Sequence, residues 1–280
     1  MDQHKPDKPL VPNGLGVIYV IISAVYLFLL HAYYNQSDSS FSSAALALAV
    51  CILFGGFLGL LDDWMSLRWR YKAFLPLFAA LPLAVMREAL HPESTAMATY
   101  IFGKIDFEIY FYIIIIPLIV TITTNVVNQL GGLNGLETIG PSIIMIGLMI
   151  KSGQGVLLYV LPLATYLSLA VFNFAGKIFV GNTGTFAIGI SLASYALISN
   201  VEQTLLISIL PYVFNAALIL LNFFFFRTTA RLILDGNKLR SEHRRSLLTL
   251  IAYYRPLTER KLVATVALII TVFTLIAVLM

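Results

Sequence analysis

Long apolar runs separated by short polar breaks dominate the chain. Spanning a bilayer takes about 20 mostly apolar residues, and runs of that order cover 14–34, 41–61, 73–90, 109–130, 138–151, 154–173, 184–199, 203–226 and 261–280. The pattern predicts nine helices, of which 138–151 and 184–199 are the shortest. Lys151-Ser-Gly-Gln-Gly reads as a turn between the fifth and sixth. The longest polar segment is 227–260, and 91–108 is a second, smaller one. Polar and apolar residues partly alternate in YIFGKIDFEIYFY, which predicts a short strand or hairpin there. No repeat of fixed period and no low-complexity tract is present. The leading MDQHKPDKPLVPNG is polar and proline-rich, unlike a cleavable signal peptide.

Composition fixes the class. Of 280 residues, 59% are hydrophobic and 11% charged, with mean hydropathy +0.87. No soluble domain needs so much apolar surface, so the expectation is an all-α polytopic membrane protein, with 1–280 as one domain. The lone Cys51 excludes a disulfide framework and a cysteine-based metal site, and reads as a packing residue.

Charge then orients the helices. With the N-terminus in the cytoplasm, 1–13, 62–72, 131–137, 174–183 and 227–260 face inward. Counting Lys261 at the boundary, they hold fifteen Lys and Arg against three on the far side, Arg87, Lys104 and Lys151. This is a strong positive-inside bias, and an even helix count would break it.

The unusual polar residues collect on the same cytoplasmic face. Asp62 and Asp63 end the second run; Asn125 and Asn128, three apart and so on one helical face, end the fourth. Asn134 and Glu137 follow a Gly-Gly turn, Lys177 and Gly181-Asn182-Thr183-Gly184 open the seventh run, and His243, Arg244 and Arg245 lie in 227–260. Carboxylates, amides and cations at one membrane surface fit an anionic ligand held through a hard cation. Oxygen donors without a Cys or His cluster favour Mg²⁺ or Mn²⁺ over Zn²⁺. A glycine turn at a helix N-terminus also offers N–H groups to phosphate. Each feature has a plainer reading. The aspartates beside RWRYK could be interfacial ion pairs, the asparagines interhelical glue, and the arginines topology signals or contacts with anionic lipid. The conjunction of five loops on one side speaks against reading them all so.

DDWMSLRWRYK, NVVNQLGGLNGLE and IFVGNTG, in that order, resemble the polyprenyl-phosphate N-acetylhexosamine-1-phosphate transferases (glycosyltransferase 4 family). NGLE and RWRYK are most similar to the eukaryotic and archaeal branch, which makes GlcNAc-diphospho-dolichol for N-glycosylation. The likeness runs from about Lys8 to Asn215, where PYVFN also fits; 227–260 matches poorly. It implies transfer of a sugar-1-phosphate, GlcNAc-1-phosphate above all, from a UDP-sugar to a polyprenyl or dolichyl phosphate, with release of UMP and a need for Mg²⁺. It also implies a membrane setting, common homodimers and no nucleic acid partner. By the resemblance Asp62, Asp63 and Lys72 are catalytic: one aspartate serves the lipid phosphate or metal, the other orients Lys72 or a helix end, and Lys72 contacts phosphate. Asn128 and Asn182 fall at metal positions. Gly132, Asn134 and Phe179 surround the uridine nucleotide, with Asn125, Glu137 and Gly181 also on the substrate side. His243 and Arg244 stand in for a later phosphate clamp.

The chain departs from the pattern in two places. Asn182 stands where most relatives carry a metal-binding Asp, and Ser66 where Asn is frequent. An amide oxygen coordinates Mg²⁺ without charge, which leaves open an impaired homologue acting as a lipid-binding or assembly protein. A transporter would instead place ionisable groups at mid-membrane on broken helices. The short start before Lys8-Pro-Leu-Val-Pro, without the leading helix of eukaryotic relatives, points to an archaeal cell membrane; a eukaryotic source would mean the endoplasmic reticulum.

Overall fold

A computed structural model describes residues 5, 7–90, 95–99, 103–153 and 155–280. In chain order it contains α1 (Gly16–Tyr34), α2 (Ser39–Met65), α3 (Trp69–Phe74), α4 (Pro76–Leu90), β1 (Ala96–Thr99) and β2 (Gly103–Asp106). A π-helical turn, Phe111–Ile115, leads into α5 (Ile116–Gln129). Then follow α6 (Leu136–Ser152), α7 (Val156–Phe174), α8 (Gly181–Ile198), α9 (Glu202–Ser208) and α10 (Leu210–Phe226). The chain closes with β3 (Ile233–Asp235), β4 (Lys238–Arg240), α11 (Leu247–Tyr254) and α12 (Glu259–Leu279).

The centre is α8. Every residue from Thr183 to Ile198 is buried, and α1, α2, α5 and α6 all pack on it. A helix enclosed on all sides needs no amphipathic stripe, so its small and hydroxylated residues serve close approach rather than contact with lipid. A Cβ on Gly16 would overlap the Gly184 backbone, and one on Gly59 the Asn182 carbonyl. These two contacts pin the head of α8 between α1 and α2. Cys51 is fully buried, as its apolar setting predicts.

Each of the nine expected runs is helical, but not as nine equal spans. Among the described residues five helices are long and apolar enough to cross a membrane: α1, α2, α7, α12 and the helix running Phe111–Gln129. A sixth is added if α9 and α10, bent by 53°, count as one. The bend follows from Pro211, which has no N–H for the preceding turn. With 15 and 17 residues, α4 and α6 fall short of about 20. Outward faces are apolar; Ile21, Leu29 and Leu268 are each more than half exposed.

Two expectations need correction, and a third is met. The hairpin pairs Ala96–Thr99 with Gly103–Asp106, so only GKID of the predicted stretch is strand; residues 100–102 lie outside the described part. Phe111 onward is helical instead, because alternation there gives way to an unbroken apolar run. The turn 151–155 is present through Gly153 and Gly155, both at positive φ, with residue 154 outside the described part. Segment 227–260 is not an open loop but a small folded cap. Its β3–β4 hairpin is joined to Leu257 through Leu239, and Ser246 and Thr249 form a capping box on α11.

At the far end Arg87 is fully buried, yet its charge is answered. It lies 3.2 Å from Glu202 and donates to the Leu197 carbonyl (2.7 Å) and to Asn200 Oδ1 (2.5 Å). A buried charge persists only with such partners, and here they fasten α4 to the end of α8.

Candidate active site

Asp62 and Asp63 are neighbours on α2, and about 100° of helical rotation sends them to different partners. The Asp62 side chain is 1% exposed, with Oδ2 2.7 Å from Lys72 Nζ, whose side chain is 30% exposed. Its Oδ1 accepts from Leu67 N (3.0 Å). That return is made by Ser66 at φ 49°, a left-handed position that Asn tolerates especially well. Asp62 thus holds Lys72 over the edge of the site.

Asp63 turns to α8. Its Oδ1 accepts from Asn182 N (2.9 Å), and its Oδ2 from Thr183 N (2.9 Å) and Thr183 Oγ1 (2.8 Å). A helix leaves its first N–H groups unpaired, and Asp63 satisfies them from 119 residues away, with its charge matched to the dipole. The expectation that this glycine turn offers its N–H groups to phosphate is therefore corrected: a protein carboxylate takes them. Gly181, at φ +69°, makes room, since a Cβ there would lie 2.8 Å from Asp63 Oδ2.

Across from this head, Asn128 Oδ1 accepts from Thr185 Oγ1 (2.5 Å), and that hydroxyl also lies 3.3 Å from the Asn182 carbonyl. Asn128 and the first turn of α8 therefore share one spot. Asn125 is used differently. Its Nδ2 donates to the Thr121 carbonyl (2.9 Å) and reaches Ala73 of α3 (3.5 Å), so it ties α5 to α3.

The Gly-Gly-Leu-Asn-Gly turn after α5 is stitched from three sides. Glu137 Oε1 accepts from Gly132 N (3.0 Å), Asn173 Oδ1 from Gly135 N (2.9 Å), and Glu259 Oε1 from Asn134 N (2.8 Å) and Nδ2 (2.9 Å). The segment before α1 forms a further wall: Phe179 N donates to the Pro12 carbonyl (2.8 Å), and Leu15 N and Gly16 N donate to the Phe179 and Val180 carbonyls.

The cap closes over the turn. A cavity of about 230 Å³ lies between them, lined by Gln129, Gly131, Gly132, Asn215, Leu232 and Ser246 among others. His243 and Arg244 do not line it. His243 Nε2 accepts from Arg231 N (3.1 Å), and partial burial with the nearby Arg245 charge holds its imidazole below the usual range. Arg244 donates to Tyr254 Oη (2.7 Å) and stacks on Tyr253. Both residues fasten the cap in this arrangement.

Asp62, Asp63, Lys72, Asn128, Asn182, Gly181 and Phe179 thus converge on the head of α8, with Gly132, Asn134 and Glu137 on the adjoining turn. Thr185, Asn173 and Glu259 belong to the same constellation without having stood out in the sequence, where Thr183 figures only as part of the glycine turn. No cluster of three or more His, Cys, Asp or Glu able to hold a metal exists among the described residues.

The model of glycosyl transferase family 4 matches residues 45–200. A Saccharolobus solfataricus protein, provisionally named UDP-N-acetylglucosamine–dolichyl-phosphate N-acetylglucosaminephosphotransferase, is 34% identical over 76% of this chain and 66% of its own length. A Sulfolobus acidocaldarius protein of the same provisional name is 35% identical over the same shares. The Dictyostelium discoideum enzyme of that name is 27% identical over 77% of this chain and 63% of its own. The chain spans about two thirds of the length of these relatives. By the family match and by these identities over three quarters of its residues, the chain belongs to glycosyl transferase family 4.

Proposed function

We propose that this protein transfers N-acetylglucosamine-1-phosphate from UDP-N-acetylglucosamine to a membrane polyprenyl phosphate of the dolichyl type. An oxygen of the lipid phosphate bonds to the sugar-bearing phosphorus, the bridge of the diphosphate breaks, and UMP leaves. The observation that carries this reading is the convergence of three separated segments on the head of α8 in a chain whose relatives bear that activity in their names. Transfer between two anions depends on positioning and on positive charge more than on covalent chemistry.

The charges give the site a direction. Glu137 and Glu259 support the Gly-Gly-Leu-Asn-Gly turn, so that end suits the neutral uridine; Lys72 stands at the other end and suits phosphate. Asp62 holds the Lys72 ammonium forward, and Asp63 keeps α8 in register with Asn128.

Mg²⁺ fits this donor set in one specific way. The Asp63 carboxylate takes three hydrogen bonds from α8, two of them on Oδ2, and so is largely committed to the helix head, while the Asn182 side chain makes no hydrogen bond to a described residue and Asn128 Oδ1 keeps a second lone pair beside Thr185. Asn128 and Asn182 would hold the ion through neutral oxygens, its charged ligands coming from the diphosphate. When bound, the ion offsets the repulsion between the two phosphates. The impaired-homologue reading rests on Asn182 alone, and a diphosphate-borne cation answers it.

In the membrane we propose nine crossings, with α6 and α8 sheltered by their neighbours, and the site at the cytoplasmic face where fifteen of eighteen Lys and Arg collect. Purified protein should convert UDP-GlcNAc and dolichyl phosphate to a lipid-linked product only with a divalent cation; no product with any cation would overturn the reading.

The neutral metal set makes a further prediction. Asn182→Asp adds a charge about 4 Å from a divalent ion, worth several kcal/mol before desolvation. The Mg²⁺ concentration giving half-maximal activity is expected to fall about tenfold, or about 1.4 kcal/mol. Titration of both proteins decides it, and an unchanged midpoint removes Asn182 from the metal.

A further inference from the structure

Glu259 opens α12, more than a hundred residues after the turn it touches. Its Oε1 accepts two hydrogen bonds from one residue, from Asn134 N at 2.8 Å and from Asn134 Nδ2 at 2.9 Å. Two bonds to a single acceptor fix both the backbone and the rotamer of Asn134, which is 5% exposed. An Asn side chain otherwise rotates between nearly equivalent edges, a donor and an acceptor that recognise opposite partners. With Nδ2 committed to Glu259, which edge faces which way is settled. An acidic residue in the first turn of a helix has an ordinary use, complementing the dipole. That use leaves a carboxylate free to choose any nearby donor, and it does not require both donors of one distant asparagine.

Surrounding contacts point the same way. Asn134 lies between Gly132 and Gly135, both at positive φ, and Gly132 lines the cavity beneath the cap. Asn173 clamps Gly135, and Arg260, next to Glu259, lies over the Phe174 ring. The start of α12 is thereby anchored on both sides of the same turn. Because α12 follows the cap directly, its first turn connects cap and turn mechanically.

We propose that Glu259 is a positioning residue for nucleotide recognition, acting through Asn134; this rests on the transferase reading above. It touches no substrate. Its effect is to present the Asn134 amide in one orientation, so that the nucleotide meets a prepared partner and no rotamer has to be ordered on binding.

The test uses the full chain with Glu259→Ala and Glu259→Gln, measuring UDP binding by calorimetry and the KM of each substrate by transfer. Glutamine keeps a carbonyl acceptor for both Asn134 donors; alanine removes it. Glu259→Ala is expected to weaken UDP binding and raise the KM for UDP-GlcNAc about tenfold, or about 1.4 kcal/mol. The KM for dolichyl phosphate and kcat should stay within about twofold of the parent, and Glu259→Gln should restore both nucleotide values. Equal UDP binding in all three proteins overturns the proposal. So does a fall in kcat and thermal stability with the nucleotide KM unchanged, which would make Glu259 a brace for α12. Parent protein that binds UDP but makes no lipid product would fail the transferase reading, and the binding arm would still decide Glu259. Parent protein that binds no UDP would overturn both.

Discussion

Replacing Asp63 with alanine is expected to cut transfer by roughly a hundredfold or more, through the head of α8 that its carboxylate holds. Its carboxylate accepts three hydrogen bonds from the first turn of α8. Hydrogen bonds to a charged group contribute about 1.5–3 kcal/mol each, and water recovers part of them at a half-buried site. A net loss of about 3 kcal/mol expressed in active-site geometry is a hundredfold in rate. Asp63→Asn should do nearly as much harm, because its NH₂ group would face N–H donors. Asp63→Glu, which keeps the charge and lengthens the arm, should fall between. Rates and melting temperatures of the three variants check this. Activity near that of the parent in Asp63→Ala would mean that α8 needs no such cap.

The second large effect is expected at Lys72. Removing one partner of a buried ion pair costs about 3–5 kcal/mol because the other charge is stranded. Lys72 is 30% exposed, so solvent screening reduces that to about 2–3 kcal/mol of stability. Turnover should suffer more if, as proposed, the ammonium stands at the phosphate end. Lys72→Ala should lower kcat by two orders of magnitude or more, and Arg68→Ala, which makes no ion pair with either aspartate, by less than about threefold. If Asp62 acts through Lys72, adding Asp62→Asn to Lys72→Ala should cost little further. A double-mutant cycle reads that coupling, and additive losses would give Asp62 a separate task.

The positions of the helices were legible because apolar runs of helical length survive any tertiary arrangement. Even the short runs at 138–151 and 184–199 proved helical, as α6 and α8. Their status as spans was less legible. Hydropathy measures contact with lipid, and α8 is enclosed by protein. The folded cap was missed because its order comes from Leu239 meeting Leu257 and from a capping box, signals too weak beside the charges of 227–260. In the site, unusual polar residues at run ends marked Asp62, Asp63, Asn128 and Asn182. The resemblance implied that the two aspartates divide their work, one serving the lipid phosphate or metal and the other orienting Lys72 or a helix end; in the structure Asp62 takes Lys72 and Asp63 takes the helix end. What it could not show is that Asp63 would silence the phosphate-binding N–H groups of α8, since the partners are 119 and 120 residues apart. Glu259 and Asn173 were invisible for the same reason. Each sits at the end of an apolar run, where a single polar residue looks like an ordinary boundary.

The central claim is transfer of a sugar together with its phosphate, and the fate of the phosphate tests it most directly. UDP-N-acetylglucosamine carrying radioactive phosphorus at the sugar-bearing position should be given to purified protein with dolichyl phosphate and Mg²⁺. The account predicts label in the lipid phase, in equal amount with UMP released into water. Label left in water as UDP, with sugar but no phosphate on the lipid, would contradict it.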